Sequence, residues 1–242
     1  MKVKVVENPP VDPREFDLPA GFKEEHLEDV VEIFNTPLVG HYNWDYTDAD
    51  TRIKKLYELG KELNWNGSID LDWSNSLKKG EPPIKAELIA RMEGPLAALP
   101  EEERLEYMRH DQAWTLSQFL HGEQGAMLVA SQLVSCAPTY QAKLYAASQT
   151  FDEARHVEVF AKYLQQIHGI EYPINKNLKS LIDKILSDER WDLKFIGMQI
   201  IIEGLALAAF QTTKETSNCP LLRQLVHYVI RDEARHVTFG VN

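Results

Sequence analysis

From residue 100 to the end of the chain, apolar residues recur every three or four positions, the period of a helix with one face buried. Four long helices are predicted there. Pro100 suits a first helical position, and Glu101, Glu102 and Glu103 suit the positive end of the helix dipole. This first long helix is expected to run to Cys136, with a break near His110. The second covers 139 to His168, with Gly169 as its stop. A linker, 170–177, holds Pro173 and leads to a shorter helix near 178–187. The third long helix covers roughly 190–216 and the fourth 220–240.

The pattern upstream is weaker. Residues 1–20 are proline-rich and read as an extended arm, and residues 29–35 as a short helical piece ended by Thr36-Pro37. Asp48 or Thr47 is a candidate cap for a helix over 49–63, whose Ile53, Leu56, Tyr57 and Leu63 share a face. An irregular stretch over 69–83 and a short helix over 84–98 complete this half. The organisation expected is all-α: residues 1–100 as an arm and short helices packing on a four-helix bundle, and residues 101–242 as the bundle. The last helix ends six residues after His236, whereas bundles hold buried ligands nearer mid-helix. The natural chain is therefore expected to continue beyond Asn242.

Composition narrows the class. In 242 residues, 44% apolar and 26% charged, the balance is that of a soluble globular protein. A net charge of −11 argues against nucleic acid and anionic membrane surfaces as partners. Met1 to Pro10 lacks a long apolar stretch followed by a cleavage site and reads as no signal peptide. The most apolar segment, Ile196 to Phe210, is interrupted by Gln199, Glu203 and Gly204 and is too short to span a bilayer. Cys136 and Cys219 fall at predicted turns and match no zinc spacing, as expected of reduced thiols in a cytoplasmic protein; a disulfide between the turns is the minor alternative.

The pentapeptide Asp-Glu-Ala-Arg-His occurs twice, at 152–156 and 232–236. A lone glutamate precedes each copy at one interval: Glu123 lies 30 residues before Glu153, and Glu203 lies 30 before Glu233. The two sets are offset by 80 residues at every position (123→203, 153→233, 156→236). A Glu and a His three residues apart lie on one helical face, a turn from each other, and can reach one metal cluster. The midpoints of the glutamate intervals, 138 and 218, fall in Pro138 and beside Cys219-Pro220. Antiparallel hairpins turning there bring each glutamate pair to one height, about 22 Å from the turn at about 1.5 Å per residue.

Each of these residues also sits in an apolar stripe. Four buried carboxylates at one level are untenable without cations, and two divalent metals balance their charge. Glu123, Glu153, His156, Glu203, Glu233 and His236 are thus the candidate ligands of a two-metal site. Salt-bridged helical faces through Arg155 and Arg235 are the bland alternative, and they leave the lone glutamates unexplained. Oxygen-rich donors with one imidazole per metal suit iron or manganese better than zinc. Asp152 and Asp232 are expected to accept the free ring N–H of a ligand histidine across the pseudo-twofold axis; pairing with Arg155 and Arg235 is the alternative. Gly122, Gly125, Ala126, Gly204, Ala206, Ala208 and Ala209 crowd the site, either as room for dioxygen or substrate or as close helix packing.

These residues, over 105–242, resemble the ferritin-like di-iron carboxylate superfamily. The resemblance is to the branch of ribonucleotide reductase small subunits, monooxygenase hydroxylases, acyl-carrier-protein desaturases and arylamine N-oxygenases. It implies that Glu153 and Glu233 bridge the metals, with Glu123 and His156 serving one and Glu203 and His236 the other. It further implies two irons (manganese or a mixed Mn/Fe pair as alternatives) that reduce O2 to an oxidant attacking a small organic substrate. Electrons would come from a separate reductase or ferredoxin, and a homodimer is common among such bundles. Two departures trim the branch. Phe160 stands where radical-generating subunits carry tyrosine, although Tyr163 is near. Val229 stands where arylamine oxygenases carry an extra histidine, which counts against that subclass. The expected activity is an O2-activating oxygenase or oxidase. A ferroxidase or iron-binding protein without organic substrate, and a reductase-like small subunit, are the alternatives.

Overall fold

The computed structural model describes residues 34–47, 51–78 and 80–242. The expected arm, most of the helical piece at 29–35 and the candidate cap Asp48 lie outside them. Helix α1 is Arg52–Glu62, capped by Thr51, whose hydroxyl accepts from Lys54 N at 3.1 Å. It starts later than the pattern predicts because the side chain able to bond the free amides is at 51. Helix α2 is only Ala86–Ile89. The helix expected to 98 ends at Ile89, and Gly94, at a positive φ of 73° ahead of Pro95, keeps it from resuming.

Helix α3, Glu101–Cys136, runs 36 residues without the break expected near His110, and Pro100 caps it from just outside. Helix α4, Tyr140–Tyr163, is capped by Thr139 and widens into a π-helical turn over Leu164–His168, which Gly169 ends at φ 63°. Helix α5 is Lys176–Ser187. The third long helix is composite: α6, Trp191–Phe195, a π-helical stretch, Ile196–Ile202, and α7, Glu203–Thr216. Helix α8 is Pro220–Gly240, with Pro220 in its first turn. Among the described residues there is no strand, only an isolated bridge between Ile84 and Ser217.

Helices α3, α4, α7 and α8 form the four-helix bundle, α3 packing along α4 and α7 along α8. Helix α1 lies across α4 and α8, and α5 against α3. The segment before α2 is tied to the α7–α8 turn, with Lys85 N donating to Thr216 O and Asn218 N to Pro83 O. Of three apolar clusters among the described residues, two flank the polar layer, and the third gathers Ala137, Ala142, Tyr145 and Phe239. Of the flanking pair, one holds Leu116, Leu120, Phe160, Phe210, Leu225 and Val229, and the other Ala126, Val129, Ala146, Ile182, Met198 and Ile202. On α3 Glu123 falls between them; on α4 Glu153 and His156 do, and on the third long helix Glu203 does. The polar layer is therefore sealed on both sides by hydrophobic packing.

The run Trp191–Thr216 is, by length and composition, long and apolar enough to cross a membrane, with a mean hydropathy of 1.7 over its best window. This corrects the expectation drawn from Ile196 to Phe210 alone, since the helix extends beyond that segment at both ends. Here it is the third bundle helix, with Met198, Gln199, Glu203 and Phe210 turned inward.

The small residues divide between the two roles open to them. A Cβ on Gly125 would lie 2.8 and 2.9 Å from two Ile182 carbons, so this glycine lets α5 approach α3. At Gly122 and Gly204 a Cβ would meet nothing within 4 Å. Gly125→Ala is expected to destabilise by about 1–3 kcal/mol through overpacking, seen as a lower thermal midpoint. Gly122→Ala, which relieves the helix of a glycine in open space, is expected to leave that midpoint unchanged or raised.

Candidate metal centre

Helices α3, α4, α7 and α8 bring Glu123, Glu153, His156, Glu203, Glu233 and His236 together, all within 5% of full burial. They form two overlapping groups in which one donor atom per residue lies within 4.8 Å of the others: Glu123, Glu153, His156 and Glu233, and Glu153, Glu203, Glu233 and His236. Glu153 and Glu233 belong to both. The π-helical stretch ends at Ile202, immediately before Glu203, so the register of that glutamate is set by an irregular turn.

Each imidazole faces carboxylates with Nδ1. His156 Nδ1 is 3.1 Å from Glu123 Oε2, 3.3 Å from Glu153 Oε2 and 3.1 Å from Glu233 Oε1. His236 Nδ1 is 3.1 Å from Glu153 Oε1, 3.3 Å from Glu233 Oε2 and 4.0 Å from Glu203 Oε1. The opposite ring nitrogens bond across the bundle, His156 Nε2 to Asp232 Oδ2 and His236 Nε2 to Asp152 Oδ2, each at 3.2 Å. Each Nε2–H donates to an aspartate, which leaves Nδ1 facing three carboxylates, where a metal or a proton can sit. Only a cation makes that arrangement favourable. Donors about 2.1 Å from a metal at right angles stand about 3 Å apart, close to the spacings seen. Of these carboxylate oxygens, Glu153 Oε2 and Glu233 Oε1 are buried and satisfied by no hydrogen bond, as donors awaiting a metal would be. The residues present fit two metals.

The electrostatics without metal lead to the same point. Burial pushes Glu123 and Glu203 well above the usual carboxylate range. At Glu153 burial acts the same way, but His236 and His156 overcome it and hold that carboxyl low. Burial opposes charge on both imidazoles, and the surrounding carboxylates override it and hold both well above 6.5. Protons thus occupy the donors that metals would take, and metal binding releases them.

Asp152 and Asp232 also bind the arginines, so the two roles weighed for them coexist. Arg235 lies 3.0 Å from Asp152 Oδ2 and 2.7 Å from Asp232 Oδ1; Arg155 lies 3.1 Å from Asp232 Oδ2 and also bonds Asp152. The network is not symmetric. Trp65 Nε1 donates to Asp232 Oδ2 at 2.7 Å, and its ring stacks on Tyr228. Trp65 carries no signal in the sequence, being 167 residues from the aspartate it bonds. Arg155 and Arg235 did carry one, since both copies of the pentapeptide repeat them. Gln149, from α4, donates to Glu153 Oε1 at 3.1 Å and Glu203 Oε1 at 3.0 Å. Cys136 closes α3 and Cys219 caps α8, both as buried free thiols.

A pocket of about 230 Å³ opens beside the centre between α3, α5 and α7. Phe119, Gly122, Leu178, Ala206 and Phe210 line it, and Glu123 and Glu203 form its inner end. No lysine, arginine or histidine faces it.

Residues 46–241 match the model of the family described as p-aminobenzoate N-oxygenase AurF. The chain belongs to the AurF family. Membership makes it an O2-activating oxygenase or oxidase with a dinuclear carboxylate centre. It also corrects the expectation that Val229 counts against the arylamine oxygenase branch. In this member Val229 is fully buried in the apolar core, and the centre has two histidines. Solved structures share the fold. One is an R2-like ligand-binding oxidase with aerobically reconstituted Mn/Fe cofactor, at TM-score 0.59 and 22% identity over 84% of this chain and 73% of that one. Another is a point-substituted form of such an oxidase with anaerobically reconstituted Mn/Fe cofactor, at TM-score 0.59 and 22% identity over 83% and 76% of the two chains. No curated protein sequence matches.

Proposed function

We propose that the chain catalyses O2-dependent oxidation of an uncharged, apolar organic substrate, with an arylamine lacking a carboxylate as the leading class. Glu153 and Glu233, shared by both donor groups, would hold both metals, Glu123 and His156 would serve one, and Glu203 and His236 the other. Two irons are the favoured pair, and a mixed Mn/Fe pair, as in the R2-like oxidases, is the alternative. When bound, the metals supply the reduction of O2. The protein orients the imidazoles through Asp152 and Asp232, keeps bulk water from the polar layer and seats the substrate. Electrons come from a separate reductase or ferredoxin. The single observation carrying this reading is the apolar pocket that ends on Glu123 and Glu203, which a ferroxidase has no use for. The absence of a cationic side chain in its lining disfavours the carboxylate of p-aminobenzoate, because a buried unpaired charge is costly. A homodimer belongs to the same proposal; the exposed Ile196, Ile200, Ile201 and Leu205 offer it an apolar face, and light scattering tests it.

The test begins with anaerobic Fe(II) loading of metal-free protein, then a pulse of O2. Two irons per chain, retained after O2, are expected. With a chemical reductant and O2, aniline should be oxidised in preference to p-aminobenzoate. Ala206→Phe, which fills the pocket, is expected to retain both irons and lower aniline oxidation at least tenfold. Iron uptake continuing well beyond two per chain would replace this reading with a ferroxidase.

A further inference from the structure

The 80-residue repeat that makes the ligands symmetric does not extend to their neighbours. One turn before Glu153 stands Gln149, and its counterpart before Glu233 is Val229 (149→229). One turn before Glu203 stands Gln199, and its counterpart before Glu123 is Phe119 (119→199). Tyr145, a turn before Gln149, corresponds to Leu225 (145→225). At all three pairs the polar partner lies toward Glu203 and His236, and the apolar partner toward Glu123 and His156.

The three polar side chains are fully or almost fully buried. The Tyr145 hydroxyl, the Gln149 Oε1 and both amide atoms of Gln199 have no hydrogen-bond partner. Tyr145 packs on Phe239 at 4.4 Å between ring centroids. Gln199 lies against Gly240, where a Cβ would come within 2.8 Å of the Gln199 backbone oxygen; glycine is what allows that approach. Both therefore abut the last turn of α8, the turn that follows His236. Leu225 and Val229, in contrast, belong to the sealed apolar core, and Phe119 packs against it. Buried polar atoms left unpaired cost free energy and mark a site with a purpose beyond packing.

Of the three, Gln149 is the one bonded to the centre. The carboxylate oxygens it bonds, Glu153 Oε1 and Glu203 Oε1, are the ones nearest His236 Nδ1 from those two residues. The other oxygen of Glu153 faces His156. Gln149 thus touches one metal position and not the other.

Resting on the dinuclear reading above, we propose that Gln149 is a positioning residue for the Glu203–His236 half alone. It fixes one oxygen each of Glu153 and Glu203 through its amide nitrogen, while its own carbonyl is buried without a partner. The two metal positions are consequently inequivalent: Gln149 braces carboxylates at one, and its counterpart Val229 lies in the apolar core.

The experiment is anaerobic titration of the metal-free chain with Co(II) alone, following the visible d–d absorption. Wild type is expected to bind two equivalents. Gln149→Met, which keeps the length but loses donor and acceptor, and Gln149→Asn, which is too short to reach, are each expected to weaken one equivalent at least tenfold. That equivalent alone should change its spectrum, with the thermal midpoint within a few degrees of wild type. Either variant carries the test if the other does not fold. In a Glu123→Ala background, where the Glu203–His236 position remains, the Gln149 variant should weaken binding further; in Glu203→Ala it should not. Two equivalents with wild-type affinities and spectra in a folded variant, or equal weakening of both, would overturn the proposal. A wild-type chain that takes up no pair of Co(II) would overturn the dinuclear reading itself.

Discussion

Replacing Glu153 or Glu233 by alanine is expected to cost the protein both metals at once, whereas Glu123→Ala or Glu203→Ala should weaken one. The asymmetry follows from geometry. Glu153 places Oε2 at 3.3 Å from His156 Nδ1 and Oε1 at 3.1 Å from His236 Nδ1. Glu233 likewise places Oε1 at 3.1 Å from His156 and Oε2 at 3.3 Å from His236. Each spans both donor groups, so its loss removes an anionic donor from two positions and leaves two divalent ions facing three carboxylates. Iron analysis after anaerobic loading, with circular dichroism to confirm the helices, measures it. Near-complete loss of iron is the result anticipated. One iron retained by both variants would show that the bridging assignment is wrong.

The second large effect is expected at Asp232. Its Oδ2 accepts from Trp65 at 2.7 Å, Arg155 at 3.1 Å and His156 at 3.2 Å, and its Oδ1 lies 2.7 Å from Arg235. The carboxylate orients a ligand imidazole and also balances two buried guanidinium groups. Asp232→Asn retains the shape but removes the charge and turns an amide toward these donors. Metal affinity at the Glu123–His156 position should fall about 10- to 100-fold, the usual penalty for losing such a support. Stability should fall as well, by about 3–5 kcal/mol if both arginines lose their counter-charge without rearrangement. Thermal unfolding of metal-free protein isolates the second effect from the first. Asp152→Asn should act in the same way on the Glu203–His236 position. Unchanged affinity together with an unchanged midpoint would remove Asp232 from the support of the centre.

That double effect illustrates how far the sequence could be read. The pairing of Asp232 with a ligand histidine was legible because both lie in a repeated pentapeptide with helical spacing. Its pairing with arginine read as a competing explanation, since a linear pattern does not show that one carboxylate can serve both. The small residues behaved similarly. Gly122 and Gly125 are indistinguishable in sequence, yet one faces open space and the other the side chain of Ile182. Helix ends were legible where a cap or glycine stands at the boundary, as at Thr139 and Gly169. They were missed where no cap, glycine or proline stands at the boundary, as at Ile89.

By itself the sequence determined that the chain is helical, that four helices carry a repeated set of glutamates and histidines, and which six residues would meet. Helical periodicity and the interval between glutamates and turns are local quantities, fixed by bond geometry along one chain. Tertiary structure decided the rest. It placed Trp65 on Asp232, put Gln149 against Glu153 and Glu203 while Val229 joined the core, inserted a π-helical stretch before Glu203, and opened an apolar pocket onto two of the carboxylates. Those are contacts between elements far apart in the chain, and they depend on how helices settle against one another to fill space and pair buried charge.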